Sequence, residues 1–353
     1  MTEAKQHPVP PKGRSALRLA WRTGAFCFRV SLLLAIAIAA LSPRLIDRDW
    51  RFDLVASLLA QFVLAGVVLA AWQLPFRRWN WCALFLIASA GCYAWMLQVE
   101  RSPFIGERVL QQDERSLRVL QINVYSRNQQ PERIITLIAE HEPDLIVMLE
   151  APLELLSIME SSSDLLERYP YHAGLESSSP GQIVILCSHP LQKRADSPTF
   201  DGLNRSWGYW AGFVNIDGYP VRVAGVHAPS PRTEFSWRTG KMTFDRIGQL
   251  FERLGSPLDE PAHPTMIIGD LNAAPTSTRS RMITDRFGLL RAKPIRVWDG
   301  TFHASVPWFA RSAIDDSMLS PDIAVRSWRT VRIPGSDHRG VLLELSISVG
   351  AID

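Results

Sequence analysis

Along this chain the apolar residues first run together and later begin to alternate. Three unbroken apolar segments open it: Val30–Leu41 (extendable to Ala25 across Arg29), Leu54–Leu74 and Trp81–Val99. The second and third carry no charge and approach the roughly 20 residues needed to cross a hydrocarbon core. The first is shorter, and its Arg29 would have to snorkel to the interface. None shows an amphipathic period, so buried helices of a soluble domain account for them poorly. Ala37-Ile38-Ala39 has the small-residue spacing of a signal cleavage site, but two further apolar runs behind it predict an uncleaved three-helix anchor.

After Val99 the pattern changes. Residues 100–116 are polar and predict a linker. From Leu117 onward strand-like and helix-like stretches alternate. Strands are predicted at Leu117–Val124, Leu145–Leu149, Ile183–Cys187, Ala211–Ile216, Val221–Val226, Thr265–Ile268 and Val341–Ile347. Helices are predicted at Pro131–His141, with Pro131 suited to the first turn, and at Trp237–Leu254. Asp217-Gly218 between two strands is a hairpin signal. The expected organisation is a basic N-terminal segment (1–24), a three-helix anchor (25–99), a linker (100–116) and one α/β domain (117–353). Strands covered by helices on one face and by a second sheet on the other make a layered α/β sandwich.

Charge sharpens this division. Residues 1–99 carry 11 Lys/Arg against 4 Asp/Glu, and residues 100–353 carry 27 against 31. The basic excess therefore flanks the apolar runs, and the net −4 of the remainder gives no general grip on a polyanion. Lys5, Lys12, Arg14, Arg18 and Arg22 precede the first run, and Arg77 and Arg78 separate the second from the third. Against these seven stand Arg44, Arg48 and Arg51 in the first loop, diluted by Asp47 and Asp49. That bias predicts the N-terminus inside and, after three crossings, the α/β domain outside. Cys27, Cys82 and Cys92 fall in or beside the runs, leaving Cys187 alone in the domain, which excludes an internal disulfide and a thiolate zinc site there.

Polar residues recur where the strands end. Asn123 closes LRVLQIN, Glu150 closes DLIVMLE, His227 closes VRVAGVH, Asp270 and Asn272 close TMIIGDLN, and Asp337-His338 precede GVLLELSI. Singly, each has a bland explanation as a turn cap, an Asx-turn or a satisfied core histidine. Five such endings in one domain make coincidence a poor account. The residue types suit one chemistry. A Mg²⁺ or Mn²⁺ ion prefers carboxylate and amide oxygens, which Glu150, Asn123 and Asp337 supply. Hydrolysis at phosphorus needs an aligned water, neutralised phosphoryl charge and an acid–base group. Asp270 can orient or deprotonate the water, Asn272 can donate to a phosphoryl oxygen, and Asp315 in AIDDSMLSP can fix the tautomer of His338.

In order and approximate spacing, Asn123, Glu150, His227, GDLN, AIDD and SDH resemble the endonuclease/exonuclease/phosphatase superfamily, whose fold is like that of pancreatic deoxyribonuclease. The match spans roughly 117–348. It implies a four-layer α/β sandwich and a Mg²⁺-dependent phosphoesterase. It further implies Glu150 as metal ligand with Asn123 and Asp337 nearby, Asp270 and Asn272 handling water and phosphate, Asp315–His338 as a catalytic dyad, and His227 contacting the scissile phosphate. Three positions depart from the usual pattern. Leu149 stands where Gln commonly precedes the metal-binding Glu, so a supporting hydrogen bond is expected to be absent. Asp316 stands where His is usual after the dyad Asp. Ser188-His189-Pro190 replaces Ser-Arg-x-Pro. The anchor followed by this domain also resembles a bacterial subgroup that includes teicoplanin-resistance membrane proteins, which implies a polyprenyl-phosphate type of substrate at the outer face of the plasma membrane.

Three functions compete on these residues. The first is a membrane-anchored phosphohydrolase of a lipid-linked phosphate or pyrophosphate, with Phe302, Trp308 and Phe309 dipping into the interface or covering an acyl chain. For those aromatics, ordinary core packing is an equal reading. The second is an extracytoplasmic nuclease, disfavoured by net charge but kept open by Arg279, Arg281, Arg286, Arg291 and Lys293. The third is a non-catalytic binding or scaffold protein, supported only by Leu149 and Asp316.

Overall fold

The computed structural model describes residues 12–99, 102–106, 110–111, 113–175, 182–193, 208–253, 263–295 and 298–348. Residues 1–11 of the basic N-terminal segment lie outside them. The first elements are helices: α1 (Lys12–Leu41), α2 (Trp50–Ala56), α3 (Leu59–Gln73) and α4 (Trp79–Val99). Among the described residues, three helices are long and apolar enough to cross a membrane, at Trp21–Arg44, Leu59–Phe76 and Trp79–Val99. They pack through Ile36, Ala39, Leu59, Val63, Phe85 and Cys92, while Val67, Val68 and Ile87 stay exposed on the outside. Large apolar groups all round a helix suit a lipid surround.

The second apolar run is not one helix. Leu54 belongs to α2, and the chain turns at Ser57-Leu58 before α3 starts. The cause is polar. Asp49 caps α2 by accepting from the Arg51 backbone N–H at 2.8 Å, and Asp53 must find donors once buried. It finds them on the following domain, which holds α2 out of line with α3.

That domain contains β1 (Glu114–Asn123), α5 (Pro131–His141), β2 (Leu145–Ala151), α6 (Leu153–Ser161), α7 (Ser163–Arg168), β3 (Tyr171–Ala173), β4 (Gln182–Cys187), β5 (Leu191–Lys193), β6 (Gly208–Ile216) and β7 (Tyr219–His227). It continues with α8 (Glu234–Arg253), β8 (Thr265–Asp270), α9 (Thr278–Phe287), β9 (Leu290–Arg291), β10 (Asp315–Leu319), β11 (Ile323–Arg332) and β12 (Arg339–Ser348). The strands form two six-stranded sheets, ordered β11-β12-β1-β2-β4-β3 and β5-β6-β7-β8-β10-β9.

Strand alternation sorts the core into layers. Leu117, Val119, Leu145, Val147 and Leu149 face the second sheet, meeting Val223, Met266 and Ile268. Their neighbours Leu120, Ile122, Ile146 and Met148 face α5, α6 and α7. On the far side Val226, Ile267 and Met318 pack under α8 and α9. The result is helix, sheet, sheet, helix: a four-layer α/β sandwich. Burial on both faces explains why β2 reads as a continuous apolar run rather than an alternating one. The stretch read as a linker is tied to this domain, Ser102 Oγ donating to Ala292 O at 2.7 Å and Ile105 N to Val325 O at 2.8 Å.

Topology brings the polar strand ends together. β1 runs parallel to β2, and β7 parallel to β8, so the C-terminal ends of each pair coincide. β10 and β12 run antiparallel to these, so their N-terminal ends arrive at the same edge. The register sets His227 opposite Asp270, and Asp270 opposite Asp315.

Candidate active site

At that shared edge lies a cleft of about 560 Å³ whose walls include Glu150, His227, Asp270, Asn272, Asp337 and His338. Asn123 sits beneath it, donating to Glu150 Oε1 at 3.1 Å and to Asp270 Oδ2 at 3.2 Å. His227 Nε2 is 3.5 Å from Glu150 Oε1 and 3.8 Å from Asp270 Oδ2. His338 Nδ1 meets Asp315 Oδ2 at 2.7 Å, and its Nε2 lies 3.9 Å from Asp270 Oδ2. The structure therefore brings Asn123, Glu150, His227, Asp270, Asp315 and His338 into one cluster of polar groups, each within 4 Å of another member. Asn272 and Asp337 stand on the cleft wall beside it. Asn272 gives its side-chain Nδ2 to Ala228 O at 2.8 Å, and its backbone N–H to Asp270 Oδ1 at 2.8 Å.

Backbone strain aims these groups. Glu150 has a φ of 54° and Asn272 of 44°, left-handed conformations that are costly outside glycine and gather at functional sites. Plain alternation would turn Glu150 toward the α5 layer. The register of β2 against β4 instead slips between Met148 and Ala151, so Ala151 takes the helix-facing position and Glu150 swings to the strand tip. There Ser126 N–H supports Oε2 at 3.3 Å. Gly269, with a φ of 146°, lies so close to Val226 O that any side chain would collide with it.

Electrostatics follow from burial. Asp270 is pushed up to about 8, first by burial and then by the charge of Asp315, with His338 opposing. Burial works against a charged His338, but Asp315, assisted by Asp270 and Asp337, outweighs it and raises the imidazole to about 10. Asp315 thus fixes His338 with its Nδ1 proton inward and leaves Nε2 toward Asp270.

Asp270, Asp315 and His338 present ligand atoms within 4.8 Å of one another. Asp315 Oδ2 is already taken by His338, however, and its Oδ1 accepts from Gln121 at 3.0 Å. The side on which a cation fits is therefore that of Glu150 and Asn123, next to Asp270. Its oxygens are hard donors, and burial, followed by the charge of Asp315, pushes the neighbouring Asp270 carboxyl up.

Gln121, Arg279 and Thr301 escaped the sequence reading of the site. Gln121 is fully buried two residues before Asn123, at an inward position of β1 where the neighbours are apolar. A buried amide in that alternation was the available signal. Thr301 Oγ1 accepts from the Asp315 N–H at 3.2 Å. Among the five basic residues that keep a nuclease reading open, Arg279 does not face solvent. Arg279 is fully buried and donates to Pro229 O at 2.7 Å and Asn272 O at 3.1 Å, bracing the loop after β8. It passes over Gly240 of α8, where a β-carbon would strike the guanidinium. Arg291 is also buried, Arg286 pairs with Asp245 at 2.7 Å, and Arg281 donates to Pro43 O at 2.9 Å.

The two departures near the site have separate explanations. Leu149 is part of the inter-sheet core and contributes no polar support, which falls to Asn123 and Ser126. Asp316 is fully buried and accepts from Arg291 Nε at 2.9 Å, Lys293 N at 3.1 Å and Trp328 Nε1 at 2.9 Å. It is a packing anchor.

Comparison with known proteins places this geometry in a family. Residues 120–338 match the Endonuclease/Exonuclease/phosphatase family, more than half of the chain, and the chain belongs to that family. The structure of the family member from Bacteroides vulgatus is similar at a TM-score of 0.50 and 18% identity, covering 66% of this chain and 99% of that one. A Bacteroides thetaiotaomicron family protein gives 0.50 and 17%, covering 68% and 97%. A humanized D. rerio TDP2 carrying 14 mutations gives 0.50 and 12%, covering 65% and 98%. These likenesses establish the fold. Among curated proteins none matches the chain in sequence. Members of the family are hydrolases acting on phosphoesters, and they typically use divalent metals.

Proposed function

We propose that this protein is a membrane-anchored, divalent-metal-dependent phosphoesterase that cleaves a lipid-linked phosphate ester or pyrophosphate at the outer face of a bacterial-type plasma membrane. The observation that carries this reading is the make-up of one cleft. Asp270, His227 and His338 share it with Leu54, Ser57 and Leu58, which lie immediately before the membrane-length helix α3. A phosphate held there lies next to the segment that enters the bilayer, where a lipid headgroup is at high effective concentration. The excess of Lys and Arg before the first apolar run and between α3 and α4 favours the outer side for the cleft.

Glu150, Asn123 and Asp337 would hold a Mg²⁺ or Mn²⁺ ion, whose charge offsets that of the phosphoryl oxygens. The remaining steps belong to side chains. Asp270, near neutrality and therefore an efficient base, accepts a proton from the attacking water. The water oxygen bonds to phosphorus as the bond to the leaving oxygen breaks. His338, kept as an imidazolium by Asp315, donates from Nε2 to a phosphoryl oxygen, and His227 contacts the same group. Asn272 has one amide hydrogen on Ala228 O and a second for phosphate. The burial of Arg279 and Arg291 and the pairing of Arg286 with Asp245 weigh against the nuclease reading.

The test is purified full-length protein with Mg²⁺, offered a polyprenyl pyrophosphate, a phospholipid, and single- and double-stranded DNA. Turnover of a lipid-linked phosphate, abolished by Asp270→Ala and by His338→Ala, is the expected result. Cleavage of DNA alone, or no turnover of any substrate, would overturn the proposal. A reporter fused after Asp353 is expected to be active only outside the membrane.

A further inference from the structure

The connection between the first two membrane-length helices, residues 42–58, does more than join them. It is fastened to the α/β domain at several points. Asp53, 1% exposed, accepts from Trp237 Nε1 of α8 at 2.9 Å and from the Thr278 N–H that opens α9 at 2.7 Å. Thr276 Oγ1 donates to Ala56 O at 2.5 Å, and Thr278 Oγ1 to Ile46 O at 3.2 Å. Arg281 reaches Pro43 O. Just past the connection, Gln61 of α3 donates to Arg311 O at 3.0 Å. Arg311 belongs to the loop that also carries Phe302, whose ring lies 4.8 Å from that of His338. The connection is therefore fastened to α8 and α9, and the start of α3 that follows it to the loop carrying Phe302.

What it presents between these pins is apolar. Leu54 and Leu58 line the cleft together with Phe302 and Ile314, facing the group around Asp270. Leu54 is 39% exposed although a seven-residue helix held so firmly could have buried it. Leu58 directly precedes α3, so the apolar lining continues into a helix long enough to cross a bilayer. On the Arg311 loop, Trp308 and Phe309 stand 55% and 40% exposed, and an exposed Trp suits a membrane interface.

We infer that Leu54 and Leu58, fixed by the Asp53 latch, form the wall that receives the hydrocarbon chain of a lipid-linked phosphate and so select substrates by chain length. The inference rests on the phosphoesterase reading above and deepens it. The occupant follows from continuity. The apolar lining starts at the phosphate-handling residues and ends at the start of a membrane-length helix, as a headgroup with an attached chain requires. Burying methylene groups against leucine adds affinity that grows with each carbon placed.

Two measurements on the full chain in nanodiscs test it. The first compares kcat/KM for butyl, octyl and dodecyl pyrophosphates and for the matching alkyl nitrophenyl phosphodiesters. The expected result is a rise of at least about tenfold from butyl to dodecyl, since each buried methylene is worth several-fold. The double variant Leu54→Gln with Leu58→Gln is expected to flatten that rise. Turnover without chain-length preference, or a preference that survives the double variant, would overturn the inference while leaving phosphoesterase activity standing. The second needs neither turnover nor a variant: a dodecyl phosphate with a terminal diazirine is photolysed on the wild-type protein. Crosslinks at Leu54 and Leu58, competed by dodecyl phosphate, are expected. Crosslinks confined to α1 or α4, or none, would overturn it. Crosslinks at the two leucines with no hydrolysis of any ester would sink the enzyme reading and leave the wall in place.

Discussion

Gln121 Nε2 donates to Asp315 Oδ1 at 3.0 Å, on the carboxylate whose other oxygen meets His338 Nδ1 at 2.7 Å. Gln121 stands behind the pair and outside the cleft, so it acts by positioning. Gln121→Leu keeps volume in the inter-sheet core but lets Asp315 rotate. Loss of such an orienting bond lowers activity about 10–100-fold. Gln121 Oε1 has no partner, so leucine removes an unsatisfied acceptor along with a hydrogen bond, and stability is expected to change by under about 1 kcal/mol. Steady-state kinetics should show the loss in kcat with KM little altered. Intact kcat beside a fallen melting temperature would make Gln121 purely structural.

The Asp316–Arg291 pair is the stability counterpart. Both side chains are buried, and Asp316 also receives the Lys293 N–H and the Trp328 indole. Asp316→Ala strands all three donors, one of them charged, and is expected to cost about 3–5 kcal/mol. Asp316→His, which restores the residue more usual in the family, should also destabilise, because an imidazole cannot accept from three donors. Thermal denaturation checks both. A melting temperature equal to wild type in either variant would remove the anchor role.

How far the sequence foretold this structure depends on the range of the interaction. The strands at Leu117, Leu145, Val221, Thr265 and Val341 were legible because each is a short apolar run with both faces covered. β11 was not: Ile323–Arg332 interleaves three arginines and a tryptophan, and it becomes a strand only by pairing with β12. Helix α9, Thr278–Phe287, was hidden because its buried residues are Thr278, Arg279, Ser280 and Ile283, mostly polar in composition. At the site, residues on strand tips were readable as types at positions. Gln121 and Arg279 were not, since each earns its role only through a partner at least seven residues away, or on another strand. Asp53 was invisible for the same reason, lying 184 residues from Trp237 and 225 from Thr278.

That distant latch sets the next expected outcome. Asp53→Ala leaves the Trp237 indole and the first N–H of α9 without an acceptor in a buried place. Each stranded donor costs about 1–3 kcal/mol, enough to detach a seven-residue helix that has little stability of its own. Hydrogen exchange on the full chain should show α2 amides losing protection while β1, β2 and β8 keep theirs. Unchanged protection in α2 would mean that Thr276, Arg281 and Gln61 suffice to hold the connection.

Asp270 ties the candidate cation site to pH. Its carboxyl is pushed up to about 8 by burial and by Asp315, so below that value the pocket holds a proton that an incoming cation must displace. The sign follows directly. A raised carboxyl favours the protonated form, deprotonation is completed only as pH climbs through about 8, and a cation binds the deprotonated form. Apparent Mg²⁺ affinity is therefore expected to rise with pH, by at most about tenfold per pH unit for one displaced proton, and to level off above about 8. Isothermal titration in buffers of different ionisation enthalpy would count the proton released. In Asp270→Asn, which has no proton to lose, the slope should vanish between neutrality and about 8. A pH slope that persists in Asp270→Asn would assign the linked proton to another group in the cleft, with His227 the nearest imidazole to Glu150.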